Sequence, residues 1–253
     1  MLPVLKRLIE VPYGAKFELS FSNINAETIQ LSDNTVPTLV MPVQPSVSKS
    51  DNVEDLPFII DNDIYATDDW YGQELARVVD LGEMRGVRMA RLEISPFMYN
   101  PVSGELRVTL SFDCEIRLKG AQISRTETEK ARVYSPWFEA NFNQLINHQK
   151  PEMFTDGGEA LIGVAPVTYI IVSDPMFESS LESFIEWKTQ KGFNVVEAYT
   201  NNPEVGTSTT SIKNYLKNFY QNPPEGYHPQ SFVLIVGDVA QVPTFNGSAG
   251  SHV

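Results

Sequence analysis

The sequence predicts two domains of different fold class: an all-β, sandwich-like domain followed by an incomplete α/β domain with a parallel sheet. Two observations predict this division. Apolar residues recur with a period of two from residue 17 to about residue 132, as in half-buried strands. From about residue 166, short apolar runs alternate with stretches of helical period, as in βαβ units. We therefore expect domains at 1–150 and 166–253, joined by a linker at 151–165.

The clearest strand of the first domain covers residues 106–118. Every second residue of it is apolar, Cys114 included, and the residues between them are polar or charged, which is typical of an antiparallel strand with one packed face. Turn residues at 101–104 precede it, so we expect a hairpin with a strand around 87–95. Clusters of Pro, Asp and Asn between 42 and 69 fit the short strands of a sandwich or barrel.

The second domain has the pattern β-α-β-α-β, the start of an open parallel sheet with right-handed crossovers. Asp174 and Pro175 provide the N-cap and the first-turn proline of its first helix. Gly192 ends that helix. The predicted elements are a strand at 168–172, this helix, a strand at 194–199, a helix with the stripe Ile212, Tyr215, Leu216 and Phe219, and a strand at 232–236.

The segment between the two patterns contains Trp137, Phe138, Phe142, Leu145 and Ile146 at helix-like spacing. We expect a short helix there, followed by an exposed linker that includes a Gly157-Gly158 loop. Exposed linkers between modules are preferred sites of proteolysis.

Composition excludes several classes of function. The net charge is 19 − 32 = −13 and the pI is about 4.7, which argues against nucleic acid as the main partner. No apolar run reaches the 18 or so residues of a membrane span. The single cysteine excludes an intrachain disulfide and a cysteine-rich metal site.

The two ends of the chain suggest a fragment. Glu10 and Pro12 interrupt any apolar run near the start, so no secretory signal is expected. Met1 is then either a cytoplasmic start or a position inside a longer chain. At the other end, Val253 follows shortly after the third predicted parallel strand, so we expect the α/β domain to be cut short.

The residues alone give no complete catalytic set. Cys114 is expected to pack in the core. His148, His228 and His252 lack metal-ligand spacing, and we expect the first two on the surface. Asp238 follows the last predicted strand, where open α/β sheets place ligands, so it is a candidate for binding a cation or orienting a loop. Phosphate-binding, dinucleotide-binding and serine-hydrolase motifs are missing from the sequence.

Dispersed segments resemble a known family in register along nearly the whole chain. The first half is similar to the propeptide of gingipain-type cysteine endopeptidases, closest to the Lys-specific type, and the second half resembles the start of the mature peptidase. The segments are KRLIEVP at 6–12, MPVQPSVSKSD at 41–51, GQEL at 72–75, LGEMRGVR at 81–88, FIEWKTQKGF at 184–193, EVGT at 204–207, SIK at 211–213 and LIVGD at 234–238.

The resemblance implies a bacterial secreted or cell-surface zymogen whose signal peptide is absent from this fragment. Its β-sandwich prodomain would pack on a caspase-like α/β domain, inhibit it and assist its folding. Catalysis would use a His-Cys dyad on protein or peptide substrates, with both residues downstream of Val253. No cofactor is implied for catalysis; calcium is allowed, without assignable ligands. The mature boundary would fall near 149–158, although Lys150 precedes a proline and makes a poor scissile bond.

One region departs from the resemblance. Basic prodomain residues of the relatives are self-cleaved or plug the specificity pocket, and Lys49 matches one such region. Before the GQEL segment, however, this chain carries Asp68 and Asp69. An acidic plug would fit a basic pocket, and the parent enzyme would then not be strictly Lys- or Arg-specific. The alternative is a solvated acidic loop.

A second class of function stays open. The chain would then be a non-catalytic cell-surface or protein-binding module that keeps the β-sandwich. This hypothesis predicts a natural stop codon after Val253 and a stable monomer. The zymogen hypothesis predicts that the reading frame continues beyond Val253.

Overall fold

A computed structural model describes residues 2–33, 39–151, 167–245 and 247 of the chain. Two compact units emerge: the first comprises 1–126 and 141–149, and the second comprises 127–140 and 150–253. The predicted linker lies outside the described residues except for Pro151, as does His252. No helix in the described ranges is long and apolar enough to cross a membrane.

The first unit contains two antiparallel sheets packed face to face, as the alternating pattern predicts. The strands are β1 (Leu5–Glu10), β2 (Lys16–Gln30), β3 (Tyr71–Gly72), β4 (Ala76–Met84), β5 (Val87–Ile94), β6 (Phe97–Asn100) and β7 (Glu105–Lys119), and a short helix α1 (Asn62–Ala66) lies between β2 and β3 in the chain. The strand orders of the two sheets are β1-β5-β4 and β2-β7-β6-β3. The buried Ile9, Val11 and Ala90 on the side of the first sheet pack against Phe17 and Ile116 of the second sheet.

The long strand β7 keeps the predicted alternation and pairs with β2 over almost its whole length. Cys114 lies opposite Phe21 in this ladder and is half-buried. Burial raises the pKa of its thiol. The apolar face is incompletely covered, because Leu110 of β7 retains 53% of its exposure.

The prediction of the strand that forms a hairpin with β7 is wrong. Beyond the turn at 101–104, β7 pairs with the short β6, whereas β5 lies in the other sheet between β1 and β4. Pro96 explains the error, since a proline has no backbone N–H for a ladder and ends the preceding strand. After it the chain crosses to the second sheet, where the Pro96 carbonyl accepts from the Thr109 amide at 2.8 Å.

The segment after β7 differs from the prediction. An 11-residue helix, α2 (Ile123–Val133), replaces the end of the expected strand pattern. Its buried positions include Thr126 and Lys130. Because these buried residues are polar, the apolar residues of α2 do not recur with a helical period. The short helix expected around 137–146 is a 3-10 turn, Pro136–Phe138, followed by the single turn α3 (Glu139–Phe142).

The second unit contains a parallel sheet with two helices, in the predicted β-α-β-α-β order. The elements are β8 (Val167–Ser173), α4 (Glu178–Gln190), β9 (Phe193–Tyr199), α5 (Thr209–Gln221) and β10 (Phe232–Val236). The strand order is β10-β8-β9. Because the two crossovers run in opposite directions, right-handed connections put the helices on opposite faces of the sheet. Tyr169 contacts Phe184 of α4 on one face, while Ile170 packs with Ile212 of α5 on the other.

The predicted signals at the ends of α4 are present. The Asp174 side chain accepts from the Met176 amide at 2.9 Å, and Pro175 opens a 3-10 turn that leads into the helix. Gly192 follows with a φ of 85°, the left-handed conformation that glycine adopts readily. The helix α5 begins with a capping box between Ser208 and Ser211.

Candidate functional site

The carboxyl edge of the parallel sheet is the candidate site. The strand order reverses between β8 and β10, since the chain leaves β8 toward β9 and later returns past β8 to form β10. Open α/β sheets bind ligands at such a switch point, outside the carboxyl ends of the strands. Asp174 follows β8 and Asp238 follows β10, so the fold brings both carboxylates to this edge.

The loop after β8 is held by polar groups of its own. Ser173 is fully buried, and its hydroxyl donates to the Asp174 carbonyl at 3.1 Å. The Ser173 carbonyl in turn accepts from the Thr200 amide at 2.9 Å, which ties the ends of β8 and β9 together. The Asp174 carboxylate serves as the helix cap, so its role here is to start the chain into α4.

The loop after β10 depends on Gly237. Its φ of 130° is outside the region that side chains tolerate, and an added Cβ would lie 2.9 Å from the Cβ of Gln241 and 3.5 Å from Phe177. Gly237 therefore permits both the positive φ and the close approach of Gln241 within the loop after β10. A residue with a Cβ would force Gln241 or the backbone of this loop to shift.

Asp238 is exposed and organises this loop. Its Oδ1 accepts from the Val239 amide at 2.7 Å, and its carbonyl accepts from the amides of Gln241 and Val242 at 2.9 Å each. Its own amide donates to Gln241 Oε1 at 3.0 Å. The buried Val242 joins the core beneath α5, so the loop is anchored on both sides of Asp238.

The charge at the edge of β9 is acidic. The Tyr199 hydroxyl donates to Glu197 Oε2 at 2.8 Å. Burial raises the pKa of Tyr199, and Glu197 together with Glu178 and Glu182 of α4 adds to the rise. In the ranges that the structure describes, no group of three or more His, Cys, Asp or Glu side chains could hold a metal ion. The calcium expectation stays a prediction.

The candidate processing and plug residues lie on the surface of the first unit. Lys49 is exposed in a turn in which the Asp51 amide donates to the Ser48 carbonyl. Asp68 is exposed and accepts from Asn100 Nδ2 at 2.7 Å. Asp69, also exposed, accepts from the Trp70 amide at 2.7 Å.

The last residues of the first unit bind along β1. The amide of Ile146 donates to the Leu8 carbonyl at 3.0 Å, and Leu8 forms a parallel bridge with Leu145. Lys150 follows these residues in the chain, and its Nζ lies 4.0 Å from Glu139 Oε1. No local sequence pattern predicts these contacts with β1, because they join residues that lie far apart in the chain.

The prediction of a surface position is wrong for His148. Its Nδ1 lies 2.6 Å from Glu10 Oε2, and the two side chains are only 7% and 11% exposed. The Phe142 ring covers it, with centroids 5.0 Å apart. His228 is exposed as expected. Glu10 is not evident as a partner from the sequence around His148, since it comes from β1.

Comparison with known proteins gives two family matches. Residues 1–142 match the family model Propeptide_C25, and residues 164–252 match Peptidase family C25. Lys-gingipain of Porphyromonas gingivalis is 35% identical over 237 residues, which cover 94% of this chain and 13% of that protein. Gingipain R2 of the same organism is 21% identical, over 96% of this chain and 31% of its own length. The chain thus spans about an eighth of Lys-gingipain.

Two solved structures from Porphyromonas gingivalis also overlap with the chain. One concerns the zymogenic latency of gingipain K, with 37% identity and a TM-score of 0.43, and covers 47% of this chain and 65% of that one. The other is the complex of the RgpB pro- and mature domains, with 20% identity and a TM-score of 0.45, over 58% and 72% of the two chains.

Proposed function

The chain belongs to peptidase family C25, and we propose that it is the N-terminal part of a secreted or cell-surface cysteine endopeptidase zymogen. One observation carries the proposal: a propeptide family and a peptidase family match consecutive parts of the chain, residues 1–142 and 164–252, in the order of a precursor. The antiparallel sheets lie in the first part and the parallel sheet lies in the second.

In the proposed reaction, a cysteine thiolate attacks the scissile carbonyl of a protein or peptide substrate. The amine product leaves after it takes a proton from the partnering histidine, and water then hydrolyses the acyl-enzyme. We place both dyad residues beyond residue 253. Cys114 does not fit the role, because burial raises the pKa of its thiol and so disfavours the thiolate.

This chain would contribute the framework of the active-site edge. In a caspase-like domain, further strands would extend the sheet beyond the present three, and the loops after β8 and β10 would begin the surface that positions the catalytic groups. Gly237 and Asp238 would fix the shape of that surface through the contacts of their loop. Residues 1–150 would pack on the peptidase domain, inhibit it and assist its folding.

We also propose that the loop with Asp68 and Asp69 plugs the specificity pocket of the peptidase. Its support is that both residues are exposed and that the loop has a defined conformation. The Asp68 carboxylate accepts from Asn100 Nδ2, and the Asp69 amide donates to the Thr67 carbonyl at 3.0 Å. The guanidinium of Arg107 lies 4.0 Å from the Trp70 ring centroid and fixes the end of the loop. A pocket that accepts such a plug would carry basic groups.

Sequencing the reading frame on both sides of this chain tests the zymogen proposal. The proposal expects a signal peptide upstream, and downstream a His-Gly segment followed by a cysteine. A stop codon directly after Val253 would contradict it, and a binding role of the β-sandwich would then be the function to test.

A further inference from the structure

The boundary between the two matched families differs from the boundary between the two compact units. The propeptide family covers residues 1–142, yet residues 127–140 belong to the second unit, together with the residues that match the peptidase family. We name residues 127–140 the docking segment. It comprises the second half of α2, the 3-10 turn Pro136–Phe138 and the start of α3.

Two aromatic residues of the docking segment contact the parallel sheet. The Trp137 ring stacks on Phe193, with centroids 5.2 Å apart and planes at 28°. It also meets Phe232 edge to face at 6.1 Å. Phe138 stacks on Phe232 with centroids 5.6 Å apart. Offset-stacked and edge-to-face pairs at such distances are stabilising beyond the area that they bury.

These contacts occur at one defined edge of the sheet. Phe193 is the first residue of β9 and Phe232 is the first residue of β10. Tyr169, near the start of β8, contacts both of them at 5.6 and 5.8 Å. The docking segment therefore binds the amino-terminal ends of the strands, the edge opposite to Asp238.

A third contact fixes the docking segment to a helix. Arg132 Nη1 donates to the Tyr220 carbonyl at 2.9 Å, and its guanidinium lies 5.3 Å from the Tyr220 ring. Tyr220 lies in the last turn of α5, where carbonyl groups lack intrahelical donors and the helix dipole favours a cation. Arg132 thus recognises the end of α5 through both charge and geometry.

We propose that the docking segment holds the propeptide on the peptidase part of the chain after the connection between them is cut. The chain from the docking segment to β8 passes through residues 141–166, which include the expected processing region. A cut there leaves the contacts of Arg132, Trp137 and Phe138 intact. The inference that the chain is cut naturally in this region rests on the proposed function. The inference that the docking segment binds the second unit rests only on these contacts.

The test uses the full chain with a recognition sequence for a specific protease inserted between Gly157 and Gly158. After complete cleavage, the two fragments are expected to co-elute in gel filtration. The double variant W137A/F138A is expected to weaken their association by about 10- to 100-fold, measured by titration of the separated fragments. A synthetic peptide of residues 127–140 is expected to displace the propeptide fragment. This competition tests the contact without depending on whether a variant folds.

Trp187→Ala is the matched control. Trp187 is also a partly exposed tryptophan of the second unit, at 46% exposure, and its ring lies 5.7 Å from Phe184. This variant is expected to keep the association of the fragments. Fragments that separate on cleavage of the unsubstituted chain would overturn the inference, as would equal affinities for the double variant and the control. Either result would leave peptidase activity, and hence the proposed function, unaddressed.

Discussion

Asn147 pairs with the backbone of Glu10 as a neighbouring strand residue would. Its Oδ1 accepts from the Glu10 amide at 2.7 Å, and its Nδ2 donates to the Glu10 carbonyl at 2.9 Å. One side chain therefore satisfies both polar groups of an edge-strand residue, which would otherwise offer them to another chain. The end of the first unit is fixed to β1 in this way, just before the expected processing region.

Asn147→Ala is expected to destabilise the first unit by about 1–2 kcal/mol, since two hydrogen bonds are lost. Hydrogen exchange of the amides in β1 should also become faster. Urea unfolding and amide exchange measure these effects. Asn143→Ala is the control, because Asn143 is exposed nearby. Equal stability and equal β1 exchange in the two variants would show that the pairing contributes nothing.

Glu93 is expected to make stability depend on acid pH. Its side chain is only 4% exposed and lies 2.7 Å from both Arg77 and Arg91. The hydrogen bond from Arg77, helped by that from Arg91, holds the pKa of Glu93 below its usual value of 4.5. A lowered folded-state pKa gives stability that is present above the unfolded pKa and is lost as the pH falls.

Glu93→Gln tests this dependence. The variant should be less stable than the unsubstituted chain near neutral pH, and the difference should shrink as the pH falls below 4.5. Thermal unfolding at a series of pH values measures it. A difference that stays constant over the whole series would exclude the linkage to the Glu93 carboxylate.

Gly237→Ala is expected to destabilise the second unit by about 1–3 kcal/mol, because backbone strain adds to the approach of Gln241 at 2.9 Å. Gly226→Ala is the matched control: Gly226 also has a positive φ, of 83°, but no atom lies within 4 Å of its added Cβ. Backbone strain alone predicts a smaller loss of stability for Gly226→Ala, about 1–2 kcal/mol. Chemical denaturation measures both, and a smaller loss at Gly237 than at Gly226 would refute the close contact.

The acidic plug predicts the specificity of the parent enzyme. If Asp68 or Asp69 occupies the specificity pocket, cleavage should not be restricted to bonds after Lys or Arg. Profiling the full-length enzyme on peptide libraries that vary the residue before the scissile bond measures this preference. Strict cleavage after Lys or Arg would contradict the plug, and Asp68 and Asp69 would then belong to a solvated acidic loop.

Periodicity predicted the two fold classes because burial imposes it directly. The apolar run at 232–236 coincides with β10, and Asp174 caps the turn that leads into α4. The position of Asp238 at a strand end was predictable for the same reason. The partners of Asp238, in contrast, depend on a loop conformation that Gly237 permits, and no local pattern encodes it.

Long-range contacts explain what the sequence could not predict. The stripe of α2 contains the buried Thr126 and Lys130, so polarity conceals its helical period. Trp137 has helical spacing to its neighbours, but its partner Phe193 is a strand residue far along the chain. His148 was expected on the surface because Glu10, its buried partner, comes from the first strand.

We propose that the first part of this chain is the inhibitory propeptide of a cysteine endopeptidase. The most direct measurement is the activity of the mature peptidase, released from the full-length precursor, in the presence of increasing amounts of residues 1–150. We predict that residues 1–150 slow peptide hydrolysis at micromolar concentration, while the heat-denatured fragment does not. Undiminished hydrolysis at micromolar concentrations of the folded fragment would contradict an inhibitory role of residues 1–150.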